Sequence, residues 1–229
     1  MHDNLISLKG GQVTRDPKLD RVVQFDERSR EYPIRALVGA QPMRTKTWRC
    51  PVVLDQGREG ACVGFAWTAE KAATPVHIPG MTDAIALATY RRARQLDEWP
   101  GEDYDGTSVL AGVKAGEEEG YYAEYRWAFS LEDLALGLWK GPAVLGIPWY
   151  DGMYSTDGEW LRVRGDLVGG HAILCRGVNV TGRYFVLHNS WGPDWGINGD
   201  ARISFDDLNR LLHEQGEACI PVKRRRGKP

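Results

Sequence analysis

The hydrophobic period of the chain changes at Gly141-Pro142, and this change limits the folds open to it. Upstream, apolar residues recur at helical spacing. Downstream, short strand-like runs at 143–147, 161–163, 172–178, 184–188 and 201–204 are separated by glycines. A helical half followed by a half of short strands predicts an α+β protein of two lobes, the second an antiparallel sheet. A cleft between such lobes is a preferred ligand site.

The helices have readable punctuation. Turn residues Asp55-Gln56-Gly57-Arg58-Glu59-Gly60 precede a run of small and apolar residues at 62–73, and Pro75 prevents much continuation, so Cys62 falls in the first turn. Thr82 is a cap for a helix over 83–99. Thr107 or Ser108 caps 109–119, which Gly120 ends; Ser130 and Asp133 form a shortened capping box for 131–140. Residues 1–45 are charged, punctuated by Gly and Pro and poor in periodicity, which predicts an extended arm or irregular strands.

Composition narrows the function classes. At 229 residues with 42% hydrophobic residues and nine tryptophans, the chain has material for one domain or two lobes around a packed interior. A net charge of −2 carries no domain-wide footprint for nucleic acid, and the basic run at 223–229 reads as a solvated tail. The first residues lack a basic start and a long apolar core, so no secretory signal is read there. No apolar stretch approaches the ~20 residues of a membrane span. Four cysteines, Cys50, Cys62, Cys175 and Cys219, are too few for a disulfide framework and lack paired zinc-ligand spacing, so reduced thiols in a cytoplasmic setting are expected. Neither cofactor nor metal is implied, and nothing sets an oligomeric state.

Three segments carry chemistry. A cysteine at a helix start gains from the partial positive charge of the helix dipole, which favours thiolate; Cys62 meets that condition. A thiol also needs a base, and His171 in Gly169-Gly170-His171-Ala172-Ile173-Leu174 opens an apolar strand where glycines leave room for a substrate backbone. Of the remaining histidines, His188 beside Asn189 is the rival base. The third segment, Tyr184 to Gly199, ends a strand in His188-Asn189-Ser190-Trp191-Gly192.

That last segment closely resembles the Asn-Ser-Trp-Gly signature of papain-like (C1-type) cysteine peptidases. Gln56-Gly57, Cys62 and Gly170-His171-Ala172 fall in the family's order and approximate spacing. The resemblance implies a papain-like two-lobe α+β fold: a helical N-terminal lobe over about 56–140, an antiparallel β-barrel-like C-terminal lobe over about 141–222, and the active site in the cleft between them. It further implies Cys62 as nucleophile, His171 as general base and then acid, Asn189 as the group orienting the imidazole, and Gln56 as an oxyanion donor. Gly106, Gly170 and Trp191 would line the substrate site. The partner implied is a peptide or protein substrate, with neither nucleic acid nor membrane expected.

Departures narrow the resemblance. The common Cys-Gly-Ser-Cys-Trp stands here as Glu59-Gly60-Ala61-Cys62-Val63, so a usual disulfide partner is missing, as in prokaryotic or viral members. The stretch ahead of residue 46 is an arm that can cover the cleft but is short of the usual long pro-domain, which predicts activity in a neutral, reducing compartment without its removal. Two alternatives keep other classes open: a Cys-His amidase or transglutaminase-type acyl transferase, and a non-catalytic binding module on the same fold.

Overall fold

The structure is a computed structural model and describes residues 16, 18–21, 27–97 and 106–225. The arm is more ordered than its composition predicts. A 3-10 turn at Glu27–Glu31 leads into a short helix α1 (Arg35–Val38). Ile34, fully buried beside α1, donates its N–H to the Trp127 carbonyl at 2.7 Å. A single apolar side chain with a satisfied backbone anchors a segment that has no periodicity to reveal it.

Strand β1 (Lys46–Thr47) follows, then the helices α2 (Cys62–Ala72), α3 (Asp83–Leu96) and α4 (Val109–Glu118). The caps are those expected. Thr82 accepts from the Ile85 N–H at 3.5 Å, and Ser108, rather than Thr107, accepts from the Ala111 N–H at 3.1 Å. Gly120, at φ 80, ends the α4 segment in the left-handed region. The expected end of α3 at residue 99 lies outside the described residues.

Strand β2 (Tyr122–Ala128) and α5 (Leu131–Gly137) come next, followed by β3 (Ala143–Tyr150), β4 (Leu167–Asn179), β5 (Tyr184–His188), β6 (Asp200–Ser204), α6 (Phe205–His213) and β7 (Glu217–Arg224). The sheet has seven antiparallel strands in the order β2-β7-β3-β4-β5-β6, with β1 on β4. It is α+β as expected, but the barrel-like lobe is an open sheet rather than a closed barrel. Residues 161–163, expected as a strand, make only an isolated neighbouring bridge between Trp160 and Arg202.

Alternation along β3 and β4 divides the core. Val144, Ala172 and Leu174 face Val63, Trp67, Tyr90 and Val113 of the helical lobe. Leu145, Ile147, Ile173 and Cys175 face Phe185, Leu187, Leu208 and Leu211 on the other side. No helix among the described residues is long and apolar enough to cross a membrane.

The basic run is not all tail. Lys223 and Arg224 finish β7, and Arg224 pairs with Glu70 of α2, whose side chain is fully buried. The Tyr122 hydroxyl donates to the same carboxylate at 2.6 Å, while Arg224 Nη2 donates to the Pro142 carbonyl at 2.9 Å. The Arg224 charge thus has a buried partner in the Glu70 carboxylate. Arg226 and Lys228 lie outside the described residues. Replacing Arg224→Ala should lower unfolding stability by about 3–5 kcal/mol, because it strands the Glu70 carboxylate in the interior. Urea denaturation of the two proteins checks this; a loss below about 1 kcal/mol would mean the pair contributes no more than an exposed one.

Candidate active site

Cys62 and His171 come together because α2 packs across β4. Helix α2 begins where Gly57, at φ 60, turns the chain, and its cap residue Ala61 offers no side-chain acceptor to the first-turn N–H groups. The segment before it is fixed to the one after β5: Gln56 N–H donates to the Ser190 carbonyl at 2.9 Å and Gly192 N–H to the Leu54 carbonyl at 3.1 Å. Backbone hydrogen bonds from Ala172 and Asp20 reach the Cys62 sulfur. Ala172 is the residue after His171 in β4, so the nucleophile candidate at the start of α2 lies against the strand that carries the base candidate.

His171 is fully buried, with its ring centroid 4.6 Å from that of Trp149 and 4.9 Å from that of Trp191. Its Nε2 lies 2.8 Å from Asn189 Oδ1. That oxygen also accepts the Ser190 N–H at 2.9 Å, so it is an acceptor and the Nε2 carries the proton. Nδ1 is buried with no hydrogen-bond partner, which leaves its lone pair free. Trp191 stacks on Tyr154 and stands edge-on to Trp149, covering the His171–Asn189 bond.

Gln56 is held at both ends of its amide. Ser190 Oγ donates to Oε1 at 2.8 Å, while Nε2 donates to the carbonyls of Glu59 at 2.9 Å and Lys18 at 3.1 Å. Lys18 belongs to the arm. Gly106 and Gly170, expected along the substrate path, instead border that arm: Asp20 forms a parallel bridge with Gly170, and Arg21 one with Thr107.

The covered site differs electrostatically from the expectation of thiolate at a helix start. Burial pushes the Cys62 thiol up to about 11, against hydrogen bonds from Ala172 and Asp20 that favour the anion. Burial likewise lowers His171 to about 4, outweighing the Asn189 bond and the charge of Asp16. Burial prevails over the favourable hydrogen bonds because both groups are sealed from water. With the arm in place, burial disfavours the charged form of both groups.

His188 is excluded as the base by its bonds. Its Nδ1 lies 2.8 Å from Asp200 Oδ1 and its Nε2 2.8 Å from the Val52 carbonyl, so both nitrogens donate and neither is free to take a proton. Burial alone would lower its pKa, but the bonds to Asp200 and the Cys50 thiol push it up to about 10. The four cysteines are free thiols.

Residues that the sequence did not single out are Ser190, which orients Gln56; Trp149, which reaches the His171 ring from β3; and the arm residues Lys18 to Arg21. Trp149 had a faint signal as an aromatic ending an apolar run two residues beyond Ile147, the register partner of His171. The arm had none, since its partners, among them Tyr154 for Asp16 and Glu217 for Arg21, lie far away in sequence.

With this geometry established, known proteins can be set beside it. No family model matches the chain. An uncharacterized peptidase C1-like protein of Acanthamoeba polyphaga mimivirus is 22% identical over 193 residues, 64% of this chain and 62% of that relative. A cathepsin B-like protein of Giardia intestinalis is 39% identical over 56 residues, 23% of this chain and 19% of its own. The chain thus spans less than two thirds of either relative. Among solved structures, xylellain, a cysteine protease from Xylella fastidiosa, superposes with a TM-score of 0.67 at 19% identity, covering 92% of this chain and 98% of its own. Digestive procathepsin L 3 of the Tenebrio molitor larval midgut gives 0.59 at 16% identity, over 90% and 76%. The fold is that of the papain-like cysteine proteases.

The His188 bonds have a measurable consequence. Its folded pKa of about 10 lies above the ordinary 6.5, so the stability it contributes is fully present below pH 6.5 and is lost as pH rises through 10. Denaturation of the protein and of His188→Gln at pH 6 and pH 10 should give a stability gap that is wide at pH 6 and narrower at pH 10. An equal gap at both would show that His188 is not held as the cation.

Proposed function

We propose that this chain is a cysteine peptidase that hydrolyses peptide bonds through a thioester, with Cys62, His171 and Asn189 as its reacting and orienting groups. The observation that carries this reading is the unpartnered nitrogen of His171: Asn189 binds Nε2, leaving Nδ1 as the basic atom on the strand whose next residue reaches the Cys62 sulfur through its backbone. The family likeness of fold and of names supports it.

In this reading His171 Nδ1 takes the thiol proton as the Cys62 sulfur attacks the peptide carbonyl carbon. The carbonyl oxygen gains the negative charge. Gln56 Nε2 and the uncapped N–H groups at the start of α2 are the donors available to it. The C–N bond then breaks, and the imidazolium returns its proton to the leaving amine. Water, losing a proton to His171, attacks the thioester carbon; the acid departs and the thiol is regenerated. Charge separation becomes favourable when substrate replaces the arm and brings polar groups and water to the buried pair. Trp191 keeps solvent from the His171–Asn189 bond throughout.

Cys62→Ala and His171→Ala should each abolish cleavage of a peptide library in reductant, whereas Gln56→Ala should lower kcat by about 10²- to 10³-fold with a much smaller change in KM. Intact mass and circular dichroism establish that the variants fold. Full turnover by Cys62→Ala, or by Gln56→Ala, would overturn the role assigned to that residue.

A further inference from the structure

Among the described residues, the hydrogen bond on the His171 ring is made with a neutral amide: Asn189 Oδ1 lies 2.8 Å from Nε2, and Nδ1 has no partner. A ring pinned at one nitrogen can still swing about that bond. General-base work needs the other nitrogen to keep its aim while a proton comes and goes, and a misplacement of about 1 Å can cost about 10²-fold in rate. The ring therefore needs a stop besides Asn189.

Two indoles meet it. The ring centroids of His171 and Trp149 stand 4.6 Å apart, those of His171 and Trp191 4.9 Å, and those of the two indoles 5.2 Å, so the three rings pack on one another pairwise. Their origins differ. Trp191 lies two residues beyond Asn189 and belongs to the same turn, whereas Trp149 arrives on β3. Trp149 is thus a contact on the imidazole that neither the His171 strand nor the Asn189 turn supplies.

Strand register explains its reach. Strand β3 pairs with β4 so that Ile147 stands opposite His171 and Trp149 opposite Gly169. Opposite residues of an antiparallel pair share a face, so Trp149 and His171 are diagonal neighbours on one side of the sheet, a spacing that aromatic side chains can span. Gly169 places no side chain opposite the indole. The pairing shifts register between Trp149 and Tyr150, and the Tyr150 N–H donates to the Met153 sulfur at 3.4 Å, which fixes the end of the strand.

Core filling does not account for an indole here. Trp149 is fully buried, yet its Nε1 has no hydrogen-bond partner among the described residues. An apolar side chain of similar volume would fill the space without stranding a donor. What the indole adds is a rigid plane standing edge-on, at 66°, to the imidazole.

We propose that Trp149 is a positioning residue for the base: it holds the His171 imidazole on Asn189, so that Nδ1 remains available to the Cys62 thiol through both proton transfers. This rests on the peptidase reading for its effect on turnover, though not for its effect on the ring.

The test uses the full chain in reductant, as wild type, Trp149→Phe, Trp149→Leu, Asn189→Ala and Trp149→Leu/Asn189→Ala. Cleavage of a peptide drawn from a library is measured at steady state, and magnetic resonance of protein carrying isotope-labelled histidine follows the His171 ring, its signals assigned by their loss in His171→Ala. Trp149→Leu should lower kcat by about 10- to 100-fold while KM changes by less than about 3-fold. Trp149→Phe keeps a ring against the imidazole and should stay within about 3-fold of wild type. Because both groups act through one ring, the double variant should turn over no more than about 3-fold more slowly than Asn189→Ala alone. The Nε2 proton should give a hydrogen-bonded signal in wild type and Trp149→Phe that is lost to exchange in Trp149→Leu. Losses that multiply in the double variant, a Phe variant as slow as the Leu variant, or an unchanged Nε2 proton in Trp149→Leu overturns the proposal. A wild type that cleaves no peptide overturns the peptidase reading, and the Nε2 proton then decides the role of Trp149 alone. If Trp149→Leu does not fold, Trp149→Met takes its place, since its flexible side chain fills irregular gaps.

Discussion

Everything in the cleft depends on the seam where α2 meets β4. The start of a helix and the interior of a strand are brought within one hydrogen bond of each other, with the Ala172 backbone on the Cys62 sulfur. The seam is held by apolar packing of Val63 and Trp67 against Ala172 and Leu174. Each fully buried side chain of this kind stabilises by about 1.5–3 kcal/mol before its entropy cost, so the seam is set by the core and the polar contacts ride on it. Asn189, Gln56 and Ser190 then follow from one further pairing, that of residues 54–56 with 190–192.

The same seam explains why local rules and the finished site disagree over charge. A helix dipole acts at its first turn, but it contributes at most a partial charge, whereas sealing sulfur and imidazole from water disfavours both ions strongly. With the arm in place the second effect prevails at both groups. The electrostatics of this cleft therefore belong to its occupant as much as to its walls.

Legibility in the sequence followed the range of the interactions. Helices α2 to α4 were readable because caps and breakers act within a few residues, as Thr82 and Ser108 do. Strand β5 and its following Asn189-Ser190-Trp191 were readable because local alternation and a turn coincide. Strands β2 and β7 were missed: β2 mixes aromatic and charged residues, and β7 contains Pro221 and two basic residues that pair with Glu124 and Glu70 far away in sequence. Helix α6 was missed because Ser204, its cap, had been read only as the end of a strand. Cys62, His171, Asn189 and Gln56 are singled out by three motif segments in the sequence, whereas the bonds from Asp200 and Val52 that occupy both nitrogens of the rival His188 come from elements that the motifs do not include. That the arm can cover the cleft was an expectation from its length, but its register could not be read, since its partners, such as Glu217 for Arg21 and Tyr154 for Asp16, are remote in sequence and its remaining contacts are made by backbone groups.

Strand β7 has a position in the sheet at odds with its position in the chain. It lies between β2 and β3, so a strand far downstream of both its neighbours enters the interior of the sheet rather than its edge. It also brings Arg224 to a glutamate 154 residues earlier. Until β7 pairs, β2 and β3 lack the strand they share and Glu70 lacks its cation. The helix that carries Cys62 forms from local contacts, whereas the partner of that helix's buried carboxylate arrives through a contact of long sequence separation. Insertion of β7 between two strands is thus the non-local step on which the lobe behind the thiol waits.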